Sequence, residues 1–524
     1  MNTGESPHPS ADAAKGKPTG RASTGIAGLD EILQGGLPRN RVYLIQGDPG
    51  TGKTTLALQF LLEGVALGEK CVYLALSETR DELVEVVRSH GWSLEGIDVQ
   101  ELTASQQMMQ AQAQQTVFEP AEVELHETTR KLLDIVGRSE PSRVVLDSLS
   151  ELRLLGGSSL RFRQQILAIK QYFAERRCTV LLIDDLTVLA DDRQLQSLTH
   201  GVIQLEQLAL EYGADRRRLR VVKIRGMVYR QGYHDYTIQR GGLHVFPRLV
   251  AAEHRKDVPF EQVSSGIAEL DNLVGGGPLS GTSILIVGPS GVGKSTVSLQ
   301  YAMQAARQDK HVAIYLFDER PVSYVERAKG MAMDPSPYSN DGHIVIQQID
   351  PAELSAGQFT HMIRDQVEGS GFRMVLIDSL DGFRLSMLGE KFLVLQLHEL
   401  LAYLGQSDVS TVLTMSQHGI LPTASLATEA EVSYLADTIM LLRYYEYAGE
   451  VRRAISCVKK RSGAHEHTIR AMSMTPQGLK IGEPLRNLRG VLTGMPVPIA
   501  EASRAAGGEA GLHVGAEYGR PDAE

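Results

Sequence analysis

Cysteine is scarce, with 3 in 524 residues, at Cys71, Cys178 and Cys457. Their spacing matches no metal-ligand pattern, and so few cannot staple a chain of this length. Buried free thiols in a reducing compartment are expected. Aromatic residues make up 6% and tryptophan occurs once. No run of 18 apolar residues is present, which argues against a membrane-spanning helix. Residues 1–20 are rich in Pro, Gly, Ser, Ala and Lys and lack an apolar segment. No secretory signal is visible, so a cytoplasmic location is expected. Positive charge is in deficit, with a formal net charge of −10. A broadly basic, nucleic-acid-binding surface is therefore not expected.

The chain does have an ordinary globular balance, 42% hydrophobic and 22% charged, and length for two or three domains. It also repeats itself. Ser23-Thr-Gly-Ile-Ala-Gly-Leu-Asp30 returns as Ser264-Ser-Gly-Ile-Ala-Glu-Leu-Asp271. Gly47-Asp-Pro-Gly-Thr-Gly-Lys-Thr54 returns as Gly288-Pro-Ser-Gly-Val-Gly-Lys-Ser295, and the same 241-residue offset links Glu78 to Glu319. A repeat of this period is a duplicated domain, not a solenoid.

Each copy alternates short apolar runs with helical spacing. The first has strand-like runs at Val42–Gln46, Val72–Leu76, Val144–Leu146 and Val180–Ile183, with helical stretches at Thr55–Leu67 and Asp81–His90. The second matches at Ile284–Val287, Val312–Phe317, Met374–Ile377 and Thr411–Thr414, with a helix at Thr296–Ala306. The alternation predicts an α/β fold, a mostly parallel sheet flanked by helices on both faces. Arg220–Ile224 with Tyr236–Gln239, and Arg453–Val458 with Thr468–Met472, read as late hairpins. The expected organisation is a flexible tail over 1–20, domains at 21–248 and 262–490, and a second tail over 491–524. The join falls in the polar stretch Arg248–Glu261, which contains Pro259. Ala104–Gln115 reads as a surface helix or loop, and the chain beyond Met495 as mobile. The run Arg216-Arg-Arg218 reads as a solvated turn.

G-x-x-x-x-G-K-[ST] is a phosphate cradle. Its glycines let successive backbone N–H groups face the phosphates, and the next helix adds its positive end. The candidate nucleotide-binding residues are therefore Gly47, Asp48, Pro49, Gly50, Thr51, Gly52, Lys53, Thr54 and Thr55. Their counterparts are Gly288, Pro289, Ser290, Gly291, Val292, Gly293, Lys294, Ser295 and Thr296. Lys53 and Lys294 would reach the β- and γ-phosphates of ATP, and the Thr54 and Ser295 hydroxyls would meet Mg2+. About 90 residues on, each copy has an apolar strand ending in aspartate, Asp147 and Asp378, a second Mg2+ contact. A further acidic position ends an earlier strand, Ser77-Glu78 and Asp318-Glu319. Glu78, Glu319 and Asp318 are catalytic candidates, since a carboxylate there orients or deprotonates the attacking water or hydroxyl. The competing reading makes Ser77 and Asp318 helix caps with glutamate in the first turn.

These residues together resemble the KaiC family of cyanobacterial circadian clock ATPases, within the wider RecA-like ATPases. The resemblance spans about residues 20–490. It implies two tandem RecA-like P-loop domains, a homo-hexamer of two stacked rings with ATP between neighbours, an ATPase in the first domain and Ser/Thr autophosphorylation in the second. It also implies that Lys223-Ile-Arg225-Gly226 and Lys459-Lys-Arg461-Ser462 reach the neighbouring subunit's ATP. The family's acceptor segment corresponds to Thr428-Glu-Ala-Glu-Val-Ser433-Tyr434, making Thr428 and Ser433 the phospho-acceptor candidates. Tyr434 stands where the family has a second acceptor threonine, and Ser77 where it has a first glutamate. Thr414, Ser416 and Gln417 occupy the end of a strand where RecA-like proteins sense the γ-phosphate, with His418 a loop residue beside them. The resulting expectation is an Mg2+-ATP hydrolase and autokinase acting as a signalling or timing switch, with a regulatory protein at the C-terminal tail. Two alternatives stay open: a nucleotide-assembled scaffold without kinase activity, and a RecA-like nucleic-acid-handling ATPase.

Overall fold

The computed structural model describes residues 20–102, 120–156, 158–186, 191–210, 212–254, 259–350, 352–385, 393–417, 434–493 and 496–499. The expected features at Ala104–Gln115, His418, Thr428 and Ser433 lie outside these residues, as does most of each tail. The chain divides into two compact units at Arg248/Leu249.

The first unit runs α1 (Ala27–Ile32), β1 (Val42–Gly47), α2 (Lys53–Ala66), β2 (Cys71–Ala75), α3 (Arg80–Ser89), β3 (Ile97–Glu101), α4 (Pro120–Ser139) and β4 (Arg143–Asp147). It continues with α5 (Leu149–Gly156), α6 (Ser159–Ala174), β5 (Thr179–Asp185), α7 (Asp191–Leu198), β6 (Gly201–Leu208), β7 (Arg216–Ile224), β8 (Tyr233–Gln239) and β9 (Gly242–Phe246). Its 9-stranded sheet has the order β9-β8-β7-β6-β1-β5-β4-β2-β3. Strands β1 to β6 are mutually parallel, and β7 to β9 continue the sheet antiparallel.

Alternate residues of β1 serve opposite faces. Tyr43 and Ile45 join the core under α1, α2 and α3, while Val42 and Leu44 join the core under α4 to α7. Both faces are covered, so the strand is apolar from Val42 to Ile45 and buried throughout.

The second unit repeats the plan: α8 (Ala268–Leu273), β10 (Ser283–Gly288), α9 (Lys294–Arg307), β11 (Val312–Leu316), α10 (Pro321–Lys329), β12 (Ile344–Gln348), α11 (Ala356–Ser370) and β13 (Met374–Asp378). Then come α12 (Leu380–Leu385), α13 (Leu393–Gln406), β14 (Ser410–Ser416), β15 (Thr438–Tyr447), β16 (Glu450–Lys460), β17 (Arg470–Thr475) and β18 (Gly478–Pro484). Its sheet order, β12-β11-β13-β14-β10-β15-β16-β17-β18, is the first order read from the other edge.

Several expectations are corrected. The two late hairpins are parts of longer antiparallel extensions, because β6–β7 and β15–β16 pair as well. Arg216–Arg218 is not a solvated turn but the start of β7, where Arg218 pairs with Glu206 at 2.8 Å and lies over the Tyr233 ring. Beyond Met495, Val497–Pro498 is a short strand paired with Leu488–Arg489. The repeated S-T/S-G-I-x-x-L-D motif closes a local turn. Asp30 accepts from Thr24 N (2.8 Å) and Ser23 Oγ (2.7 Å), and Asp271 accepts from Ser265 N and Ser264 Oγ in the same way. All three cysteines are buried and unpaired, and burial raises each thiol, to about 11 for Cys71 and Cys457 and about 12 for Cys178.

The first residue of β4 distinguishes the units. Arg143, first residue of β4, is 0% exposed, pairs with Glu69 at 2.5 Å and donates to the Ser23 and Phe60 carbonyls. In the second unit the same register position, opposite the first residue of the neighbouring strand, holds Met374. Arg143→Met is expected to destabilise the first unit by roughly 3 kcal/mol, the low end for removing one partner of a buried pair. The low end applies because Arg39 still holds Glu69. Urea unfolding of the full chain checks this, and an unchanged midpoint would show that the guanidinium is dispensable.

Candidate nucleotide-binding sites

In both units the central strand ends in glycine and the next helix begins one loop later. Gly52 and Gly293, the residues before α2 and α9, have φ of 88° and 113°. Side chains with a Cβ avoid that region, and a Cβ on Gly52 would also lie 2.6 Å from Ile238 Cδ1. No side chain caps α2 or α9. The first-turn N–H groups stay available for an anion. By contrast α3 is closed by a full capping box between Thr79 and Glu82. Tyr236 OH donates to Thr51 O at 2.6 Å and Thr51 Oγ1 to Asp48 O at 2.7 Å, which holds the first loop in shape.

The lysines fold back over their loops. Lys53 Nζ donates to Gly47 O (2.8 Å) and Asp48 O (3.0 Å), and Lys294 Nζ to Gly288 O (2.9 Å) and Pro289 O (3.1 Å). Burial lowers the Lys294 ammonium, against the opposing fields of Asp378, Asp381 and Asp318. A pocket of about 420 Å3 opens over the first loop, and Pro49, Gly50, Gly52, Lys53, Thr54 and Thr55 line it together with Ser77, Glu78 and Asp147.

Parallel pairing explains why acidic residues from distant segments meet here. The C-terminal ends of parallel strands share one rim, and Asp147 and Asp378 end β4 and β13 on it. Asp147 Oδ2 accepts from Thr54 Oγ1 (2.9 Å) and Tyr73 OH (2.6 Å). Burial raises the Asp147 carboxyl, offset by the bonds from Tyr73 and Thr54 and by Lys53. Glu78 Oε2 is buried and has no hydrogen-bond partner among the described residues. Burial pushes its carboxyl up to about 7, the Asp147 and Glu82 charges add to the rise, and Lys53 opposes it. Ser77 and Asp318 do not cap the following helices. Thr79 and Arg320 hold the cap positions, and Asp318 accepts from Ser379 Oγ instead.

The second rim is wired differently. Asp378 accepts from Thr414 Oγ1, and Asp381 accepts from Ser416 N. Gln417 N donates to Gly288 O at 3.1 Å, so the end of β14 lies against the loop. Glu319 pairs with Arg327 at 2.6 Å. In the first unit Lys53 pairs with Asp185 at 2.9 Å, whereas the corresponding strand end in the second unit is Ser416; Asp185 and Ser416 stand opposite Gly47 and Gly288 in register.

Sequence reasoning missed Asp185, Tyr73, Asp381 and Arg327. A signal existed for Asp185, since Leu181-Leu-Ile-Asp-Asp185 is another apolar strand ending in acid. Arg327 shows up when the repeats are aligned, because Val86 takes its place in the first copy.

Among the cations expected to act in trans, Arg225 and Arg461 donate within their own unit. Arg225 bonds Ser197 O at 2.8 Å, and Arg461 bonds Asp437 at 3.3 Å and the Tyr434 carbonyl. Burial, with Arg225 and Lys170 nearby, lowers the Lys223 ammonium, and burial, with Arg461 nearby, lowers that of Lys459.

The state of Glu78 has a measurable consequence. A carboxyl held higher in the folded chain than in the unfolded chain favours folding at low pH, and that contribution is lost as pH rises through about 7. Without nucleotide or Mg2+, Glu78→Gln is expected to be more stable than the parent at pH 8, by about 1–2 kcal/mol after discounting for partial solvent exposure. The gap should close toward pH 5 in urea unfolding. A difference independent of pH would show that the Glu78 charge does not burden the fold.

Comparison with known proteins agrees with the geometry. The family model described as the KaiC ATPase matches residues 22–250 and again 263–486. The circadian clock protein KaiC3 of Synechocystis sp. is 26% identical over 489 residues, covering 92% of this chain and 95% of that protein. The circadian clock oscillator protein KaiC of Thermosynechococcus vestitus is 25% identical over 483 residues, covering 91% and 92%. That of Synechococcus elongatus is 26% identical over 482 residues, with the same coverage. With a strand–glycine–helix phosphate loop in each of two tandem RecA-like units and both units matched by one family model, the chain belongs to the KaiC family of ATPases.

Proposed function

We propose that this protein hydrolyses Mg2+-ATP in both units as a homo-hexamer, and that the second unit also transfers the γ-phosphoryl group to its own Ser433, with Thr428 as a second acceptor. The observation that carries the reading is the uncapped helix N-terminus beneath a folded-back lysine, present twice.

The residues at the rim suit Mg2+. Thr54 and Asp147, and in the second unit Ser295 and Asp378, offer hard oxygen donors. Among the described residues no group of three or more His, Cys, Asp or Glu is placed to hold a metal alone. An ion completed by nucleotide phosphates needs fewer protein ligands. Bound there, it would neutralise charge on the β- and γ-phosphates.

The chain's own groups supply the rest. Loop N–H groups would orient the phosphates. Lys53 would exchange its carbonyl and Asp185 contacts for phosphate oxygens, and Lys294 its carbonyl contacts. Glu78, and Glu319 with Asp318, would orient the attacking water or hydroxyl. Lys223, Arg225, Lys459 and Arg461 would meet the neighbouring subunit's nucleotide once association releases the contacts Arg225 and Arg461 now make. Tyr434 is longer than threonine and would place its oxygen elsewhere, so the proposed acceptors are Ser433 and Thr428. The names of the relatives, circadian clock proteins, support a timing or signalling switch; a regulatory protein would dock at the C-terminal tail.

Purified protein incubated with Mg2+-ATP and analysed by phosphosite mass spectrometry tests the kinase part, with Glu319→Gln as control. Phosphate is expected on Ser433 or Thr428, and none in the control. Phosphate release from an unmodified chain would remove the autokinase and leave an ATPase switch.

A further inference from the structure

The two copies treat their glutamates in opposite ways. Glu78 and Glu319 occupy the same place in the repeat, before α3 and α10. Eight residues on, the first copy has Val86, an apolar residue lining the pocket, and the second has Arg327. Arg327 Nη2 lies 2.6 Å from Glu319 Oε2 and its Nε 3.5 Å from Oε1, so the fork reaches both oxygens of the carboxylate. The guanidinium also lies over the Tyr324 ring, 5.1 Å from its centroid. That stacking fixes the fork on α10, and the fork fixes the carboxylate. In the first copy Glu78 has a buried oxygen with no hydrogen-bond partner among the described residues.

We infer that Arg327 is a positioning residue that restrains Glu319, so that the second site turns ATP over more slowly than the same glutamate would allow if unclamped. The inference rests on the proposed role of Glu319 toward water or hydroxyl. A carboxylate whose oxygens already accept from a guanidinium has less capacity left to accept from a third group. The clamp is releasable, because both side chains are about one-third exposed, at 37% for Arg327 and 33% for Glu319. A pair in that setting is weak enough for a bound nucleotide or a neighbouring subunit to open it. The first site lacks the device, since valine offers no hydrogen bond.

The test uses the full chain in a Glu78→Gln background, so that phosphate release reports the second site. The rate left in Glu78→Gln/Glu319→Gln is subtracted. Arg327→Val is expected to raise kcat about fivefold, the scale of one partly exposed ion pair, with KM within about twofold. Arg327→Lys keeps a cation at the position and should stay close to the parent. In the reciprocal Glu319→Gln background, Val86→Arg should lower first-site kcat by a similar factor. If Glu319→Gln does not change second-site turnover, the role assigned to Glu319 fails. If it lowers turnover while Arg327→Val leaves kcat unchanged or reduces it, the glutamate acts and the clamp is overturned; a reduction would mean that Arg327 aims Glu319 productively. A Val86→Arg variant with full first-site turnover would also count against the clamp.

Discussion

Everything at these sites depends on one junction, a buried parallel strand that ends in glycine and feeds a helix whose first turn no side chain caps. Orphan N–H groups at a helix start are costly to leave unmet, so proteins usually cap them. The same chain caps α3 with a reciprocal Thr79–Glu82 box. At α2 and α9 the cap position is glycine in the left-handed region, and the lysine that follows folds its ammonium back onto the loop carbonyls. The junction is prepared for an anion supplied from outside.

The sheet makes that junction useful. Parallel pairing puts the C-terminal ends of β1, β2, β4 and β5 on one rim, so Asp147 and Asp185, 38 residues apart, line one pocket with Lys53, Thr54 and Glu78. Burial then penalises charge, and neighbouring carboxylates add to the penalty, which is why the Glu78 carboxyl titrates near neutrality. The antiparallel extension contributes from the side, through β8, which carries Tyr236 and so braces the phosphate loop with its hydroxyl.

Duplication kept the backbone and changed the charges. Both units have the same strand order, and in both the peptide bond after the rim aspartate is cis, at Asp147–Ser148 and Asp378–Ser379. Yet Arg143 corresponds to Met374, Asp185 to Ser416 and Val86 to Arg327. Each exchange gives one unit an ion pair that the other lacks. The architecture tolerates this because the core clusters are apolar and the exchanged groups lie at strand ends and on a helix flank.

Apolar periodicity, a long-range repeat and two glycine-rich loops are enough to read an α/β fold with tandem phosphate loops, because those signals are local in the chain. The hairpin extensions are only half legible. Arg216–Arg218 reads as a turn because the arginines of β7 find Glu206 and Tyr233 across the sheet, a partnership the linear sequence does not display. Likewise Ser77 and Asp318 have good cap chemistry, but the caps are Thr79 and Arg320, a start that the Thr79-Arg-Asp-Glu82 box and Pro321 also mark in the sequence. The sequence by itself determined the central strands, the helices that follow them and where the glycine-rich loops lie, since hydrophobic period and glycine placement act over a few residues. Only the tertiary structure decided which charges meet — Lys53 with Asp185, Glu319 with Arg327, Glu78 Oε2 with none — because electrostatic pairing depends on distances of a few ångströms between groups that the fold alone brings together.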